Sequence, residues 1–323
     1  MKQVIVEQPG GPEQMQLVDV PLPSPGPDEA LVKLAYAGVN FIDVYFRTGL
    51  YKADPPITLG NEGSGTVERV GAGVTDIAVG DRVAYAMVRG SYAEYAIVPA
   101  SKLVKIPDTV ELDTGAAIML QGMTAHYLTH STYALTKGSS CLVHAAAGGT
   151  GGLVVQMAKL SGATVYGTTS TDEKARQIRA LGADEAILYT TQDFEAEVKR
   201  LTGGRGVDVV YDSVGKTTFD KSLASLRPRG TMALFGQSSG SVPPIDPAIL
   251  NTRGSLFLTR PNLAHHLLTR DELLWRAGDV LKYVGSGALK IRISKVYPLA
   301  EAASAHRDLE GRNTTGKVLL KVG

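Results

Sequence analysis

The residues with the clearest chemical use in this sequence form a glycine-rich turn, Ala146-Ala147-Gly148-Gly149-Thr150-Gly151. The turn stands between an apolar run at 140–145, typical of a strand, and an apolar run at 153–160, typical of a helix. In that context backbone N–H groups and the positive helix end face an anion, so the pattern predicts binding of a dinucleotide pyrophosphate. Gly148 and Gly151 hold the second and third glycine positions of G-x-G-x-x-G, while Ala146 replaces the first. The alternative is a tight turn without a ligand.

A second group of residues bears on which dinucleotide binds. The next predicted strand ends at Thr169-Ser170, whereas a site for NAD usually ends this strand with an acidic residue that accepts from the ribose hydroxyls. Asp172 lies near that place, but residues 170–173 have the S-x-x-E form of a capping box, with Ser170 as the cap. That motif puts Asp172 and Lys174 in a first helical turn. Hydroxyl donors beside a cation suit a 2′-phosphate, so Thr169, Ser170 and Lys174 predict NADPH rather than NADH.

Residues that could hold a metal are scarce. Cys141 is the one cysteine and lies in an apolar run, which predicts a buried, inert thiol and excludes a four-cysteine zinc site. Asn61 stands before Glu62 where a metal-binding version of this sequence would have histidine. His126 and His130 have ligand spacing, but no third ligand is evident. We expect no metal, and without a Lewis acid the substrate must accept hydride readily, as a quinone or an α,β-unsaturated carbonyl does.

The elements that must position these residues fall into two kinds. Residues 139–260 alternate apolar strands with amphipathic helices, which predicts right-handed crossovers and a parallel sheet. The predicted strands are 141–145, 164–167, 186–188, 207–211 and 231–235, and the predicted helices include 152–161, 172–181 and 193–201. The earlier residues carry short β-branched runs, such as 29–36 and 65–70, between proline- and glycine-rich turns, and predict a small barrel-like domain. A final strand is predicted at 318–322.

Composition limits the function classes. A chain of 323 residues with 44% hydrophobic residues and a mean hydropathy of +0.01 predicts a globular protein of two domains. No run approaches the ~18 to 20 apolar residues of a membrane span, and the N-terminus lacks the apolar core of a signal peptide. The net charge of +1, with scattered cations, gives no support for nucleic acid or a membrane surface. The single cysteine fits a reducing cytosol, and we expect a cytoplasmic protein.

Several segments together resemble one known family. The stretch 142–151, with Gln156 and Lys159 behind it, resembles the quinone oxidoreductase signature of the zinc-free, zeta-crystallin-like branch of the medium-chain dehydrogenases/reductases. Ser139 departs from that signature, which usually has an acidic or amide residue there. Segments 39–45 and 80–83 are also similar to the family. Segments 210–215 and 258–261 look especially like bacterial NADPH:quinone oxidoreductases, so the resemblance covers essentially the whole chain.

The resemblance implies an α/β architecture of two domains. A GroES-like, β-rich catalytic domain would comprise residues 1–122 and 263–323, with a Rossmann NADPH-binding domain, 123–262, inserted and the active site in the cleft. It also implies a homodimer, often formed by joining Rossmann sheets edge to edge. Asn40 stands where zinc-dependent relatives place a cysteine ligand.

The same matching implies roles for individual residues. The catalytic positions are Asn40, Asp43 and Tyr45 near the nicotinamide, and Tyr51 at the cleft. The cofactor-binding positions are Asn40, Tyr45, Thr124, Gly148, Gly149, Gly151, Thr169, Ser170, Lys174, Tyr189, Ser213, Phe235, Gly236, Ser238, Leu258, Arg260 and Arg312. Simpler interpretations stay open for several of them. The tyrosines are then ordinary barrel aromatics or a strand end, Asp43 braces a loop, and the two arginines are surface cations.

The expected reaction is transfer of hydride from NADPH C4 to a quinone, without a covalent intermediate, or transfer of single electrons to the quinone, which gives a semiquinone. Asn40 and Tyr45 would orient the reactants, and Tyr51 would donate to the developing oxyanion. One alternative is an NADPH-dependent enone or alkenal reductase on the same scaffold. An alternative of another class is a nucleotide-holding structural or RNA-binding, crystallin-like protein, against which the near-neutral charge weighs.

Overall fold

The computed structural model describes residues 1–323 and divides them into two compact units. Unit 1 comprises Met1–Met123 and Leu267–Gly323, and unit 2 comprises Thr124–His266. Unit 1 is therefore built from both ends of the chain. The first boundary lies at 123 rather than the expected 122, and unit 1 resumes at 267 rather than 263. None of the helices is both long and apolar enough to span a bilayer.

The first part of unit 1 is mostly strand. Its elements are β1 (Lys2–Val6), β2 (Met15–Asp19), β3 (Glu29–Val39), α1 (Phe41–Arg47), β4 (Ile57–Thr58), β5 (Glu62–Val70), β6 (Arg82–Ala86), β7 (Tyr95–Pro99), β8 (Val104–Lys105) and α2 (Leu112–Tyr127). Single 3₁₀ turns lie at Pro12–Gln14 and Ala100–Lys102. The last turn of α2 runs into a short π-helix, Leu128–Thr132, which already belongs to unit 2.

Unit 2 alternates strand and helix. Its elements are β9 (Ser140–Val143), α3 (Gly149–Leu160), β10 (Thr164–Thr169), α4 (Asp172–Ala180), β11 (Glu185–Leu188), α5 (Phe194–Leu201), β12 (Val207–Asp212), α6 (Phe219–Ala224), β13 (Leu226–Leu234), α7 (Ala248–Thr252) and β14 (Phe257–Thr259), followed by a 3₁₀ turn at Leu263–His266. The chain then returns to unit 1 with α8 (Arg270–Gly285), β15 (Ile293–Pro298), a 3₁₀ turn at Leu299–Glu301, α9 (Ala302–Glu310) and β16 (Lys317–Lys321).

The long strand β3 organises unit 1. It lies in a seven-stranded sheet of order β15-β16-β3-β5-β6-β8, and β7 pairs with its first half. Its second half pairs antiparallel with the C-terminal strand β16, with Val39 opposite Val318. A three-stranded sheet, β2-β1-β4, completes the unit. Because the two ends of the chain meet at this pairing, a residue from the last strand lies beside the turn that follows β3.

The strands of unit 2 form one parallel sheet in the order β11-β10-β9-β12-β13-β14. All residues of β9 and β12 are buried, as expected for strands covered by helices on both faces. This is the predicted Rossmann-type sheet, and the strand order reverses beside β9. Together with the mostly β-stranded unit 1, this sheet confirms the predicted α/β fold class with one β-rich domain and one parallel-sheet domain.

Some predicted boundaries in unit 2 were wrong for local reasons. The strand expected at 141–145 ends at Val143, and Ala145 adopts a left-handed conformation with φ of 49° that turns the chain. The helix expected from 152 begins at Gly149, because Gly148 is its N-cap. Strand β13 begins five residues before the predicted 231, at Leu226. The intervening Pro228-Arg229-Gly230 is typical of a turn, which hid this part of the strand.

Candidate functional site

The first predicted catalytic residue, Asn40, lies at the centre of a buried polar cluster in unit 1. The strand pairing of β16 with β3 brings Lys317 beside it, and Lys317 Nζ donates to Asn40 Oδ1 at 2.9 Å. Lys317 also forms an ion pair with Glu62, and both side chains are buried. Asn40 Nδ2 donates to Glu62 Oε1 at 2.8 Å, and Gln121 Nε2 donates to Asn40 Oδ1 at 3.3 Å. The buried ammonium thus faces the Glu62 carboxylate, which balances its charge, and the amide oxygen of Asn40.

This cluster occupies the hydrogen-bonding groups of Asn40. Its amide group donates to Glu62 and to the carbonyl of Gly38, at 3.4 Å, while its oxygen accepts from Lys317 and Gln121. Asn40 is only 5% exposed. A direct contact of this amide with cofactor or substrate would require one of these bonds to break, so its position is better suited to holding the turn than to binding a ligand.

Asp43, the second predicted catalytic residue, is fully buried in the first turn of α1. Its Oδ2 accepts from the backbone N–H of Asn40 at 2.9 Å, and its Oδ1 accepts from Asn61 Nδ2 at 2.6 Å. Burial raises the pKa of Asp43 to about 6, although the hydrogen bonds from Asn61 and Asn40 act in the opposite direction. The geometry matches the loop-bracing interpretation, because the carboxylate joins the Asn40 turn to the Asn61 segment.

A chain of buried polar groups connects Asp43 to the surface of unit 1. Tyr92 Oη lies 3.2 Å from Asp43 Oδ2 and 3.1 Å from His306 Nε2. His306 Nδ1 lies 3.5 Å from an Arg47 nitrogen, and Arg47 donates to Glu310 Oε1 at 2.8 Å. Burial and the Arg47 charge lower the pKa of His306 to about 3, so the ring is neutral. Because a guanidinium only donates, His306 Nδ1 accepts, Nε2–H donates to Tyr92, and Tyr92 donates to Asp43.

The outer side of α1 carries an aromatic surface instead. The Tyr45 and Tyr51 rings lie 5.2 Å apart, Phe46 meets Tyr51 edge-on at 5.6 Å, and Phe41 lies 6.2 Å from Tyr45. All four rings are half-buried. The backbone N–H of Tyr51 donates to the carbonyl of Tyr45 at 2.9 Å, but its hydroxyl has no partner within the chain. This aromatic surface can contact a flat ring, and the Tyr51 hydroxyl can donate to a ligand oxygen.

In unit 2, the glycine turn has the geometry of an anion cradle. The α3 helix begins at Gly149, so the N–H groups of its first turn have no acceptor within the helix. At Gly151 a Cβ would collide with the carbonyl oxygen of Ala145, and at Gly148 it would lie 3.1 Å from the same atom. These glycines let the helix begin close against the strand, and the turn fits a pyrophosphate. Thr124 lies in α2, buried, at the start of unit 2.

The residues predicted to hold the adenosine phosphate end lie together at the carboxyl ends of β10 and β11. The backbone N–H of Tyr189 donates to the carbonyl of Thr169 at 3.1 Å, which places Tyr189 beside Thr169 and Ser170. The capping box predicted from Ser170 was wrong by one residue, because the cap is Thr171, whose Oγ1 accepts from the backbone N–H of Lys174 at 3.2 Å. The inference that Asp172 and Lys174 lie in a first helical turn is still confirmed, because both residues are in the first turn of α4. The Ser170 side chain is not used as a cap and is half-buried.

The remaining predicted cofactor residues of unit 2 follow the neighbouring strands. The backbone N–H of Phe235 donates to the backbone carbonyl of Asp212 at 2.8 Å, and that of Ser238 donates to the carbonyl of Ser213 at 3.1 Å. At Gly236 a Cβ would lie 2.5 Å from the Ser213 carbonyl oxygen, so only glycine fits. Leu258 lies in β14, and Arg260 follows that strand, exposed. Arg312 belongs to unit 1 and lies exposed after α9.

Sequence reasoning missed a buried brace beneath these strand ends. His144 Nδ1 lies 2.9 Å from Thr168 Oγ1, and its Nε2 lies 2.9 Å from Ser222 Oγ. Ser222 Oγ donates to Asp212 Oδ2 at 2.9 Å. The network joins the ends of β9, β10 and β12, and burial lowers the pKa of His144 so that its ring is neutral. No local pattern pointed to His144 as part of such a network, because its partners come from distant segments.

The donor groups in both units do not fit a zinc ion. The side chains around Asn40 are amides, a carboxylate and an ammonium, and none supplies the thiolate or imidazole that zinc prefers. His126 and His130 stack face to face, with ring centroids 4.1 Å apart and an interplanar angle of 2°. Imidazole lone pairs lie in the ring plane, so two parallel stacked rings do not direct them to a common ion. Cys141 is buried, and burial raises the pKa of its thiol.

Comparison with known proteins identifies the family. Residues 26–108 match the GroES-like domain of alcohol dehydrogenases, and residues 149–270 match the domain described as zinc-binding dehydrogenase. The chain is 44% identical to a 2-haloacrylate reductase of a Burkholderia species, over 98% of this chain and 97% of the relative. It is also 44% identical to a quinone oxidoreductase of Pseudomonas aeruginosa, over 96% of both chains.

A solved structure gives the same result. The quinone oxidoreductase of Escherichia coli, determined as a complex with NADPH, is 39% identical, covers 100% of both chains and superposes with a TM-score of 0.98. The chain thus belongs to the quinone oxidoreductase family of the medium-chain dehydrogenases/reductases. It is an oxidoreductase of that family, and its residues do not fit the zinc that the second domain description names.

Proposed function

We propose that this chain is a zinc-independent NADPH:quinone oxidoreductase of the cytoplasm. The observation that carries the proposal is the closed cluster of Asn40, Glu62 and Lys317, which offers no ligand set for a Lewis acid. A simple alcohol or ketone needs such polarisation, whereas a quinone accepts hydride without it. The half-buried aromatic surface around Tyr45 and Tyr51 suits a flat quinone ring.

NADPH is the cofactor that the residues of unit 2 fit. When bound, it supplies a hydride from its nicotinamide ring. The N-terminus of α3, with Gly148, Gly149 and Gly151, would hold the pyrophosphate. Hydroxyl and cationic groups of Ser170 and Lys174, beside Tyr189, would hold the 2′-phosphate, since no acidic residue ends β10. Ser213, Phe235, Gly236, Ser238, Leu258, Arg260 and Arg312, with Thr124 on the nicotinamide side, would complete the contacts along the cofactor.

Unit 1 would hold and orient the acceptor. Tyr45 would contact its ring, and the Tyr51 hydroxyl would donate to its carbonyl oxygen as negative charge develops there. Asn40 and Asp43 would act indirectly, because both are buried and fix the turn that leads into α1. The proton that completes a hydroquinone would come from solvent, since the buried chain behind Asp43 passes through Arg47, which keeps its protons.

The decisive experiment is an acceptor panel. We expect NADPH oxidation with 9,10-phenanthrenequinone to exceed oxidation with 2-alkenals, and NADPH to bind more tightly than NADH in a fluorescence titration. Turnover of alkenals alone, or tight binding of NADH alone, would overturn the proposal.

A second candidate is an NADPH-dependent reductase of conjugated carbonyls. It is favoured by the 44% identity to a relative named 2-haloacrylate reductase, because both chemistries require hydride transfer to an activated acceptor. The crystallin-like, RNA-binding alternative has no basic aromatic stripe to support it, and an RNA gel shift beside the acceptor panel tests it.

We also propose a homodimer formed along the edge of the unit 2 sheet. The edge strand β14 has three residues, and its Phe257 is 61% exposed. An open edge with an exposed aromatic side chain can pair with the same strand of a second copy.

A further inference from the structure

An arginine stands at the border of the aromatic surface of unit 1. Arg89 lies on the loop after β6, and this loop is fixed to the segment that carries Asn61. The backbone N–H of Met87 donates to the carbonyl of Asn61 at 2.7 Å, and that of Gly90 donates to the carbonyl of Gly60 at 2.9 Å. Because Asn61 in turn donates to Asp43, the loop is tied to the same framework as the predicted catalytic turn.

The guanidinium of Arg89 is held by an aromatic ring and not by a carboxylate. Its Cζ lies 4.8 Å from the centroid of the Phe46 ring, within the range of a cation–π contact. Phe46 meets Tyr51, and Tyr51 meets Tyr45, so the cation adjoins the surface proposed for the acceptor ring. The Arg89 side chain is exposed and makes no ion pair or hydrogen bond within the chain. Arg47, by contrast, is buried and paired with Glu310.

We propose that Arg89 binds an anionic group on the acceptor, and that the enzyme therefore accepts carboxylate- or sulfonate-bearing conjugated acceptors. This inference rests on the proposed function and names the substrate class of the same site. The guanidinium is planar, and its N–H groups form a fork that can donate two parallel hydrogen bonds. Such a fork matches the two oxygens of a carboxylate or sulfonate, and it does so better than an ammonium.

The positive charge of Arg89 also has a role in the reaction itself when the anionic group of the acceptor is conjugated with the reacting double bond. In an α,β-unsaturated carboxylate, hydride from NADPH would form the C–H bond at the β-carbon, and the π pair would move to the α-carbon and the carboxylate oxygens. A proton from solvent then forms the second C–H bond at the α-carbon, giving the saturated acid and NADP⁺. The carboxylate carries a second negative charge before that proton arrives, and an adjacent guanidinium stabilises it.

The test compares acceptors with and without an anionic group on the same reacting skeleton, and the change of their ratio between protein variants reports on the charge. The first pair is 1,4-naphthoquinone and its 2-sulfonate, and the second is methyl 2-chloroacrylate and 2-chloroacrylate. For the second pair, the ratio of kcat/KM for the anion to kcat/KM for the ester should fall at least about tenfold in Arg89→Met. Arg89→Lys should give an intermediate ratio, because it keeps the charge and loses the planar fork. The same order is expected for the naphthoquinone pair.

Salt and a matched control complete the test. Raising the ionic strength from about 0.05 M to about 0.5 M should raise KM for the anion in the unchanged protein, and the neutral partner should not respond. Arg307 is an exposed arginine of α9 in the same unit, and Arg307→Met should leave the ratio unchanged. An unchanged ratio in Arg89→Met, or an equal fall in Arg307→Met, would overturn the inference. Failure of the unchanged protein to oxidise NADPH with the neutral naphthoquinone would overturn the proposed function instead.

Discussion

Asp43 shows how one buried residue makes the free energy of unfolding depend on pH. Its folded-state pKa of about 6 lies above the ordinary value of 3.8, so its stabilising effect is present below pH 3.8 and lost as pH rises through 6. His306 acts in the opposite direction, because its lowered folded-state pKa of about 3 favours the folded protein as pH rises towards 6.5. The two effects partly cancel in the unchanged protein, since both titrate across the same pH range.

Asp43→Asn should separate these effects. The variant loses the titration of residue 43 and keeps that of His306, so its free energy of unfolding should rise relative to the unchanged protein as pH increases. The expected gain is about 2 kcal/mol between about pH 4.5 and about pH 7. Urea unfolding at both pH values measures it. A constant difference between the two proteins would show that Asp43 titrates at its ordinary pKa.

Tyr51→Phe tests the one predicted catalytic hydroxyl that has no partner within the chain. Loss of a donor to the developing oxyanion should lower kcat with a quinone by about ten- to a hundredfold, while the Kd for NADPH stays the same. Stopped-flow absorbance of NADPH measures kcat, and a fluorescence titration measures the Kd. Tyr95→Phe, a half-buried tyrosine of β7, is the control and should retain full turnover. Equal kinetics of Tyr51→Phe and the unchanged protein would remove this hydroxyl from the mechanism.

At the residue scale, local pattern predicted the groups that follow one another in the chain. The glycine turn, Thr169-Ser170 and Lys174 are readable because each lies at the junction of a strand and a helix. Lys317 was not readable as a site residue, since it meets Glu62 across a separation of 255 residues. The same holds for His306, which contacts Tyr92 across 214 residues. A lone lysine or histidine in a sequence carries no mark of such a partner.

Among the elements, the start of α3 is the most constrained. Gly151→Ala should push the first turn of the helix away from β9, because the added methyl group would meet the carbonyl oxygen of Ala145. We expect the Kd for NADPH to rise at least about tenfold, as measured by fluorescence titration, because the helix N-terminus no longer fits the pyrophosphate.

The control for Gly151→Ala is Gly278→Ala, also within a helix. A Cβ at Gly278 in α8 would meet nothing within 4 Å. That substitution should leave NADPH binding unchanged and stabilise the protein by about 0.5 to 1 kcal/mol, since alanine favours a helix. Normal NADPH binding by Gly151→Ala would mean that the helix can shift without loss of the cradle.

Element type was easier to predict than element ends. The alternation of strand and helix predicted the parallel sheet, because covered strands are apolar and surface helices amphipathic. The predicted start of β13 was wrong, because Pro228 and Gly230 lie within the strand. The predicted end of β9 was wrong, because the left-handed Ala145 turns the chain there. Helix α6 was not predicted, and its Ser222 belongs to the His144 brace. Tertiary contacts decide such short elements.

For the whole molecule, the open edge of the unit 2 sheet gives a test of assembly. Phe257→Asp places a charge on the exposed face of β14 and should convert the proposed homodimer to a monomer. Size-exclusion chromatography with light scattering measures the mass. Leu268→Asp, at an apolar side chain of unit 1 that is 74% exposed, should leave the mass unchanged. A dimeric mass for Phe257→Asp would place the interface elsewhere.

The pairing of β16 with β3 also orders events during biosynthesis. A ribosome delivers Glu62 and Asn40 long before Lys317, so the nascent chain holds an uncompensated carboxylate where the finished protein has an ion pair. Unit 2, which is continuous from Thr124 to His266, can fold as soon as it emerges. The Asn40 turn cannot reach its final arrangement until the last strand is made. A chain released early would thus carry the glycine turn of unit 2 without the finished Asn40 turn of unit 1.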